Sequence, residues 1–439
     1  MNPIAFIMVA ASVSILILGS IVFLSSPRRA AVIVLIIYVA DTIWVGLPPV
    51  QIGLHIYAQD VLFALLLCAA MLRYMLGMAR IERSRLAALT LLALVLLSTV
   101  RGIAAYGAAQ AGVECRGFFW LFAGIVYFSS FGYSRKRIAG MIRLWQKGAY
   151  ALIMIAVFRW IATGFHLPIA ATWSDPYQPP MRVLDASAAM FLCVAFFFSL
   201  AMKASHTGDR WQQNLYYVIG PALILLQHRT IWVVTALGIM WMFRRNAMLL
   251  RRSLFAAGAA ICAAAVFIAS TFGLHFMIES LQQSATTDNT LIWRIAGWYQ
   301  LVFLRTADTS HLLFGDAFGT GFARMIGNSD VVVGPHNFYV ETYLRLGIVG
   351  LCLLVWFFVQ ELRTCNRLAA LSIPAKACLN PRLWGLVIVS QMVYSITYNP
   401  GYEQSVIIGM IVGLNAIGEV GYLSANWDVV YDPLIAEPS

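Results

Sequence analysis

The sequence predicts an all-α polytopic membrane protein with about 12–14 transmembrane helices and one large helical loop on the outer side. Three observations predict it. The 439 residues are 61% hydrophobic and 11% charged, and the mean hydropathy is +0.79, whereas a soluble domain is about 45–50% apolar and about 25% charged. Apolar runs long enough to cross a bilayer recur along the whole chain. Basic residues gather in alternate connections between those runs.

A crossing takes roughly 20 apolar residues, and candidate spans fall at 3–24, 30–47, 58–78, 86–104, 113–132, 145–165, 183–202, 212–227, 230–243, 253–272, 339–361, 383–398 and 405–423. The first has no basic segment before it and no clear small-residue cleavage site, so it reads as a retained helix rather than a signal peptide. The spans 212–227 and 230–243 are short and share the polar break "LLQHRTIW". Residues 1–439 therefore read as one membrane domain, with 273–338 as its large outer loop and 424–439 as a short cytoplasmic tail.

Orientation follows from charge, because short cytoplasmic loops accumulate Lys and Arg. The clusters are Arg28–Arg29; Arg80, Arg83 and Arg85; Arg135, Lys136, Arg137, Arg143 and Lys147; Lys203 and Arg210; Arg244, Arg245, Arg251 and Arg252; and Arg363, Arg367, Lys376 and Arg382. Those connections are expected inside, with the amino terminus outside. The net charge of +11 is then mostly a topology signal and calls for no nucleic-acid partner. The seven cysteines show no CxxC and no pairing with histidine at metal-ligand spacing.

The loop 273–338 is too long for a simple turn, and loops of this length are usually functional or disordered. Within it, "NTLIWRIAGWYQLVFLRTAD" carries Leu291, Ile295, Trp298 and Val302 at helical spacing, which predicts a helix lying at the membrane surface. In "HLLFGDAFGTGF", Gly315, Gly319 and Gly321 permit a tight turn. Ten arginines remain outside the cytoplasmic clusters. Arg73 is expected to snorkel to the inner face, and Arg345 lies inside a span. Most of the others, including Arg116, Arg182, Arg229, Arg294 and Arg324, gather towards the outer face. Each alone is explained by a nearby acid, such as Glu114 for Arg116 or Asp185 for Arg182. As a set they exceed the acids at that depth and point to an anion site, since the planar guanidinium grips phosphate bidentately.

The stretch "VVVGPHNFYVETYLRLGIVG" sets a rigid Pro335–His336–Asn337 turn directly before a span, with Glu341 one turn on. His336 is placed to accept a proton from a hydroxyl, the general-base role of histidine. No histidine pair shows HxH or HxxxH spacing, so no metal site is expected.

These residues resemble the signature of the O-antigen ligase and Wzy-type polysaccharide polymerase superfamily. There a PHN-like turn precedes a Glu and an "lGxxG" helix entry, matched here by Pro335, His336, Asn337, Glu341, Leu346, Gly347 and Gly350. Arg345 replaces the acidic residue found before "lG". "QHRTIWVV" is similar to the family's "SR" block, with Arg229 in register and His228 where serine is commoner. "IWRIAGWYQLV" and "LLFGDAFGTGF" resemble an Arg-and-Trp helix leading into a Gly-rich turn, which supplies Arg294, Trp298, Gly315 and Gly319.

The resemblance implies a glycosyltransferase-C-like fold in the bacterial inner membrane, with the active site facing the periplasm. It implies transfer of a glycan from an undecaprenyl-type lipid diphosphate to an acceptor hydroxyl, with no nucleotide sugar, cofactor or metal. Arg229 and Arg294 would hold the diphosphate and His336 would be the base. Asn337 and Glu341 would position His336, and Arg116, Arg182, His228 and Trp298 would line the substrate site. The prenyl tail needs a lateral groove between helices. The preferred activity is polymerisation of repeat units, because "QHRTIW" looks more like exopolysaccharide members; ligation to lipid A–core is the alternative. Partners would be the lipid-linked donor, the glycan acceptor and membrane lipid, with chain-length regulator and flippase proteins as companions. From another class, a transporter would place ionisable residues near mid-membrane, and Asp41 is the one good candidate.

Overall fold

A computed structural model of the chain describes residues 19–44, 46–51, 55–173, 179, 181–243, 258, 262, 266, 289–304, 309–326, 329–370 and 380–419. Most of the expected spans 3–24 and 253–272, residues 273–288 of the outer loop, and the tail 424–439 lie outside the described residues.

The described chain is mostly helical: α1 (Pro27–Trp44), α2 (Ala58–Met75), α3 (Arg83–Tyr106), α4 (Ala108–Ser129), α5 (Arg135–Gly164), α6 (Ala186–Ala204), α7 (Tyr216–Leu225), α8 (Arg229–Phe243), α9 (Asn289–Tyr299), α10 (Thr309–Phe314), α11 (Phe338–Ala370), α12 (Pro381–Tyr394) and α13 (Gln404–Glu419). Among the described residues, six helices (α2 to α6 and α11) are long and apolar enough to cross a membrane, and α8 and α13 are shorter apolar helices. That is the architecture of an all-α, membrane-embedded chain. Two small antiparallel hairpins interrupt the connections: β1 (Val50–Gln51) with β2 (His55–Ile56), and β3 (Arg324–Ile326) with β4 (Ser329–Val331).

Local chemistry sets the helix ends. Ser134 and Asp185 cap α5 and α6, accepting from the Arg137 and Ala188 amides, a role that suits short polar side chains. Gly107, at φ +86, turns α3 into the antiparallel α4 in one residue. α6 is buried on nearly every face, as expected of a helix that is apolar all round and sits inside a bundle. Around it pack α5, α7 and α8, while α4 touches α2, α3 and α13.

Helix α11 is broken at Gly347 (φ 68, ψ −169). The carbonyls of Leu344 and Arg345 there accept from the Asp316 amide (2.7 Å) and the Ser98 hydroxyl (2.9 Å). A Cβ on Gly347 would come within 2.2 Å of the Leu313 carbonyl oxygen, and one on Gly315 within 2.6 Å of the Gly347 nitrogen. Two glycines thus let the Gly-rich turn lie backbone against backbone on the kink. Glu114 locks this turn, accepting from the Gly319 (2.8 Å) and Gly321 (2.6 Å) amides.

The end of the bundle that carries residues 289–337 is here the upper end. At the opposite end, Arg73 does not snorkel. It is 1% exposed, stacks 3.7 Å from the centre of the Phe131 ring, and donates to the Ser130 hydroxyl and to the Leu24 and Ser130 carbonyls. Carbonyls freed at helix ends give its planar fork enough acceptors to stay inside.

Candidate active site

Four segments meet at the upper end. The first is the break between α7 and α8. Gln227 has φ +56, a left-handed conformation that costs an ordinary residue energy, and this elbow presents Arg229, exposed, as the first residue of α8. The Gln227 carbonyl accepts from Arg182 Nη2 at 2.9 Å. His228 is buried, and its Nε2 donates to the Leu184 carbonyl at 3.0 Å. Burial, aided by the positive charge of Arg182, lowers the His228 pKa to about 4, so its ring is a neutral bracket. Burial also lowers the Arg182 pKa; Tyr398 opposes this, while the charges of Arg229 and Arg294 add to it.

The second segment is α9. Ile292, Ile295 and Tyr299, with Phe303 in the wide helical turn that follows, are exposed and form an apolar outer stripe. The inner side carries Arg294 and Trp298. Arg294 Nη1 donates to the Thr397 carbonyl at 3.3 Å, and its guanidinium lies 5.6 Å from the centre of the Tyr398 ring. Trp298 Nε1 donates to the Pro335 carbonyl at 2.7 Å, which fixes the turn before α11.

The third segment is that turn. His336 adopts φ +51, with its side chain open to solvent on one side. Protein on its other side lowers its pKa, and the charges of Arg294 and Arg324 lower it further. The imidazole is therefore held neutral, the form that accepts a proton. Asn337 caps α11, its Oδ1 accepting from the Tyr339 and Val340 amides, each at 3.0 Å. Arg324 Nη1 ties β3 to this turn through the Phe322 (3.0 Å) and Val333 (2.7 Å) carbonyls.

The fourth segment, the 395–403 strap between α12 and α13, holds the others together. The Ser395 carbonyl accepts from the Phe338 amide at 2.9 Å. Thr397 donates to Thr230 on α8 at 2.8 Å. The Tyr398 ring stands edge-on to His228 at 6.2 Å, and Asn399 donates to the buried carboxylate of Glu341.

Beneath the strap, an apolar cavity of about 360 Å³ opens between α8 and α12, lined by Val234, Leu237, Gly238, Met240, Trp241, Leu386, Val389, Ser390 and Val393. Val234 stands one helical turn from Thr230 on α8, and Val393 precedes Thr397 by four residues across the end of α12. The cavity therefore begins about one helical turn from the threonine pair, whose members are the sequence neighbours of Arg229 and Tyr398.

The expected site residues divide into two groups. Arg182, Arg229, Arg294, His228, Trp298, His336 and Asn337 come together around the strap. The described hydrogen bonds of Asn337 and Glu341 go to α11 and to Asn399, rather than to the His336 ring. Arg116 stands elsewhere, with Asp60 (Nε–Oδ2 3.3 Å), the His55 carbonyl and the Tyr57 ring. The expected pairing of Arg116 with Glu114 is replaced by Arg345–Glu114 at 2.8 Å, because residues two apart on a helix point to different sides. Arg182 does not pair with Asp185, whose carboxylate is occupied capping α6. Asp41 accepts from the Leu47 amide at 2.8 Å as part of a helix end. The more deeply buried acids are Glu341, Glu361 and Glu403.

Sequence reasoning named Arg324 only as one of the outer arginines and did not single out Thr397, Tyr398 and Asn399. The signal for the last three was present, as the polar run "TYNPGYEQ" between two apolar spans. Among the described residues no group of three or more His, Cys, Asp or Glu side chains is placed to hold a metal ion. Compared with known proteins, the chain matches no family model and no curated sequence.

Proposed function

We propose that the chain is a glycosyltransferase-C-like enzyme of the bacterial inner membrane. It moves a polyprenyl-diphosphate-linked glycan onto an acceptor sugar hydroxyl at the periplasmic face, as a Wzy-type polymerase of repeat units. One observation carries this reading: arginines on three separate segments, Arg182, Arg229 and Arg294, gather beside Tyr398, and an apolar cavity lies between α8 and α12 about one helical turn away. A polyprenyl diphosphate has the matching chemistry, an anionic head on a hydrocarbon tail. Arg294 and Arg229, with Arg182 behind them, grip the diphosphate through charge-assisted hydrogen bonds, and the tail runs down between the helices.

The acceptor oxygen forms a bond to the anomeric carbon as the carbon–oxygen bond to phosphate breaks. The electron pair leaves with the diphosphate, stabilised by the arginines. The hydroxyl proton passes to the neutral His336 ring.

The test is the purified protein in nanodiscs with polyprenyl-diphosphate-linked repeat units. Arg294→Lys keeps the charge but loses the fork. With about 1.5–3 kcal/mol per charged hydrogen bond, transfer should fall roughly 10- to 150-fold. Near-normal transfer by that variant overturns the diphosphate grip. Longer glycans on the lipid mark a polymerase, whereas product only on lipid A–core replaces that reading with the ligase. Intact donor crossing the bilayer without a new glycosidic bond would mark a transporter.

A further inference from the structure

A second cavity lies at the upper end, between the end of α3 and the Gly-rich turn. It measures about 390 Å³ and is lined by Arg101, Tyr106, His311, Asp316 and Thr320 among others, a size within the usual range of ligand pockets. We propose that it binds a neutral sugar unit of the glycan acceptor; this rests on the transferase reading above.

The lining chemistry argues for a sugar over an anion. Arg101 is committed to the pocket's own wall, donating to the Phe314 (3.3 Å) and Gly315 (3.2 Å) carbonyls. The Asp316 carboxylate, 3.6 Å from His311 Nδ1, repels phosphate. The lining combines donors and acceptors with an aromatic side chain, that of Tyr106, a residue 44% exposed. A sugar ring offers hydroxyls to the first and an apolar C–H face to the second.

The pocket is rigidly made. A Cβ on Gly102 would come within 2.0 Å of the Phe318 carbonyl oxygen, and one on Gly319 within 3.0 Å of the Tyr106 Cβ, so helix and turn touch backbone to backbone. It is also joined to the first site. Phe318 packs on Phe118 (5.5 Å between ring centres) and Phe118 on Phe338 (5.0 Å), two residues from His336. Four residues separate Thr320 from Arg324, at most about 14 Å of chain. The pocket and the His336 turn are thus coupled through these rings and a short length of chain.

Two measurements test this. On an array of defined, lipid-free bacterial oligosaccharides, Tyr106→Ala should lower the binding seen for the native protein by about tenfold, while Tyr106→Phe and Arg294→Lys retain it. In the transfer assay, Tyr106→Ala and Asp316→Asn should raise the acceptor KM several-fold with the donor KM unchanged. Unchanged array binding and unchanged acceptor KM overturn the sugar pocket, even if transfer still depends on His336. Array binding that depends on Tyr106 in a protein that transfers no glycan removes the transferase reading and leaves the pocket. Should Tyr106→Ala fail to accumulate, the comparison of Asp316→Asn with Tyr106→Phe decides.

Discussion

Replacing His336 with asparagine separates chemistry from architecture. The residue sits at φ +51, and asparagine is one of the few residues that adopts this left-handed conformation readily. The side chain is exposed, so the exchange should change stability by no more than about 0.5 kcal/mol. An amide does not accept the hydroxyl proton, so transfer should fall roughly a hundred- to ten-thousand-fold. The neighbouring Asn337→Ala works in reverse. It removes the acceptor of two half-buried amides, those of Tyr339 and Val340, and should cost about 0.5–2 kcal/mol as a lost cap. Its effect on transfer, once corrected for the amount of folded protein, should be less than about tenfold. Thermal unfolding in nanodiscs, abundance in the membrane and initial transfer rate, measured side by side, give the two signatures. A folded, abundant His336→Asn protein that transfers at close to the native rate would refute the base. Loss of transfer in proportion to loss of folded protein in both variants would refute it equally.

Because Arg294 and Arg324 help to lower the His336 pKa, transfer should persist below the ordinary histidine value of about 6.5 and decline only at lower pH. Arg324→Gln removes one cation, so the acid limb of its pH–rate profile should move to higher pH; an unmoved limb separates that limb from His336. Leu237→Trp narrows the groove between α8 and α12 and should raise the KM of a long-chain polyprenyl donor while sparing a short water-soluble analogue, and equal effects on both would remove the tail from the groove. Glu114→Gln removes the carboxylate that pairs with Arg345 at 2.8 Å; breaking a buried pair typically costs about 3–5 kcal/mol, so the protein should unfold at lower temperature, and native-like unfolding would show the pair to be dispensable.

Much of the bundle was legible in the sequence because long apolar runs leave the chain few alternatives. The spans 58–78, 86–104, 113–132 and 183–202 correspond to α2, α3, α4 and α6, with ends displaced where caps such as Asp185 and glycines such as Gly107 decide them. The short pair around "LLQHRTIW" is two helices with a left-handed elbow, which its polar break foreshadowed. The site was partly legible. Arginine in excess of nearby acid pointed to Arg182, Arg229 and Arg294, which do meet. The misplaced residue, Arg116, fails for a local reason, since Asp60 and the β1–β2 hairpin claim it. The strap is a different case. The contacts of Thr397, Tyr398 and Asn399 with Thr230, His228 and Glu341 join residues distant in sequence, and nothing in a nine-residue connection announces what it will bridge.

The break at Gly347 divides the labour of α11. The portion from 348 to 370 has 23 residues, about 35 Å of helix, with Glu361, Arg363 and Arg367 in its last ten. The nine residues before the break form a separate segment. They form a short ramp whose tilt is set by the Gly-rich turn and Ser98 rather than by lipid. The histidine at the head of the ramp is therefore aimed by contacts within the protein, so loosening the Gly-rich turn should disturb its position even though the turn lies far from it in the sequence.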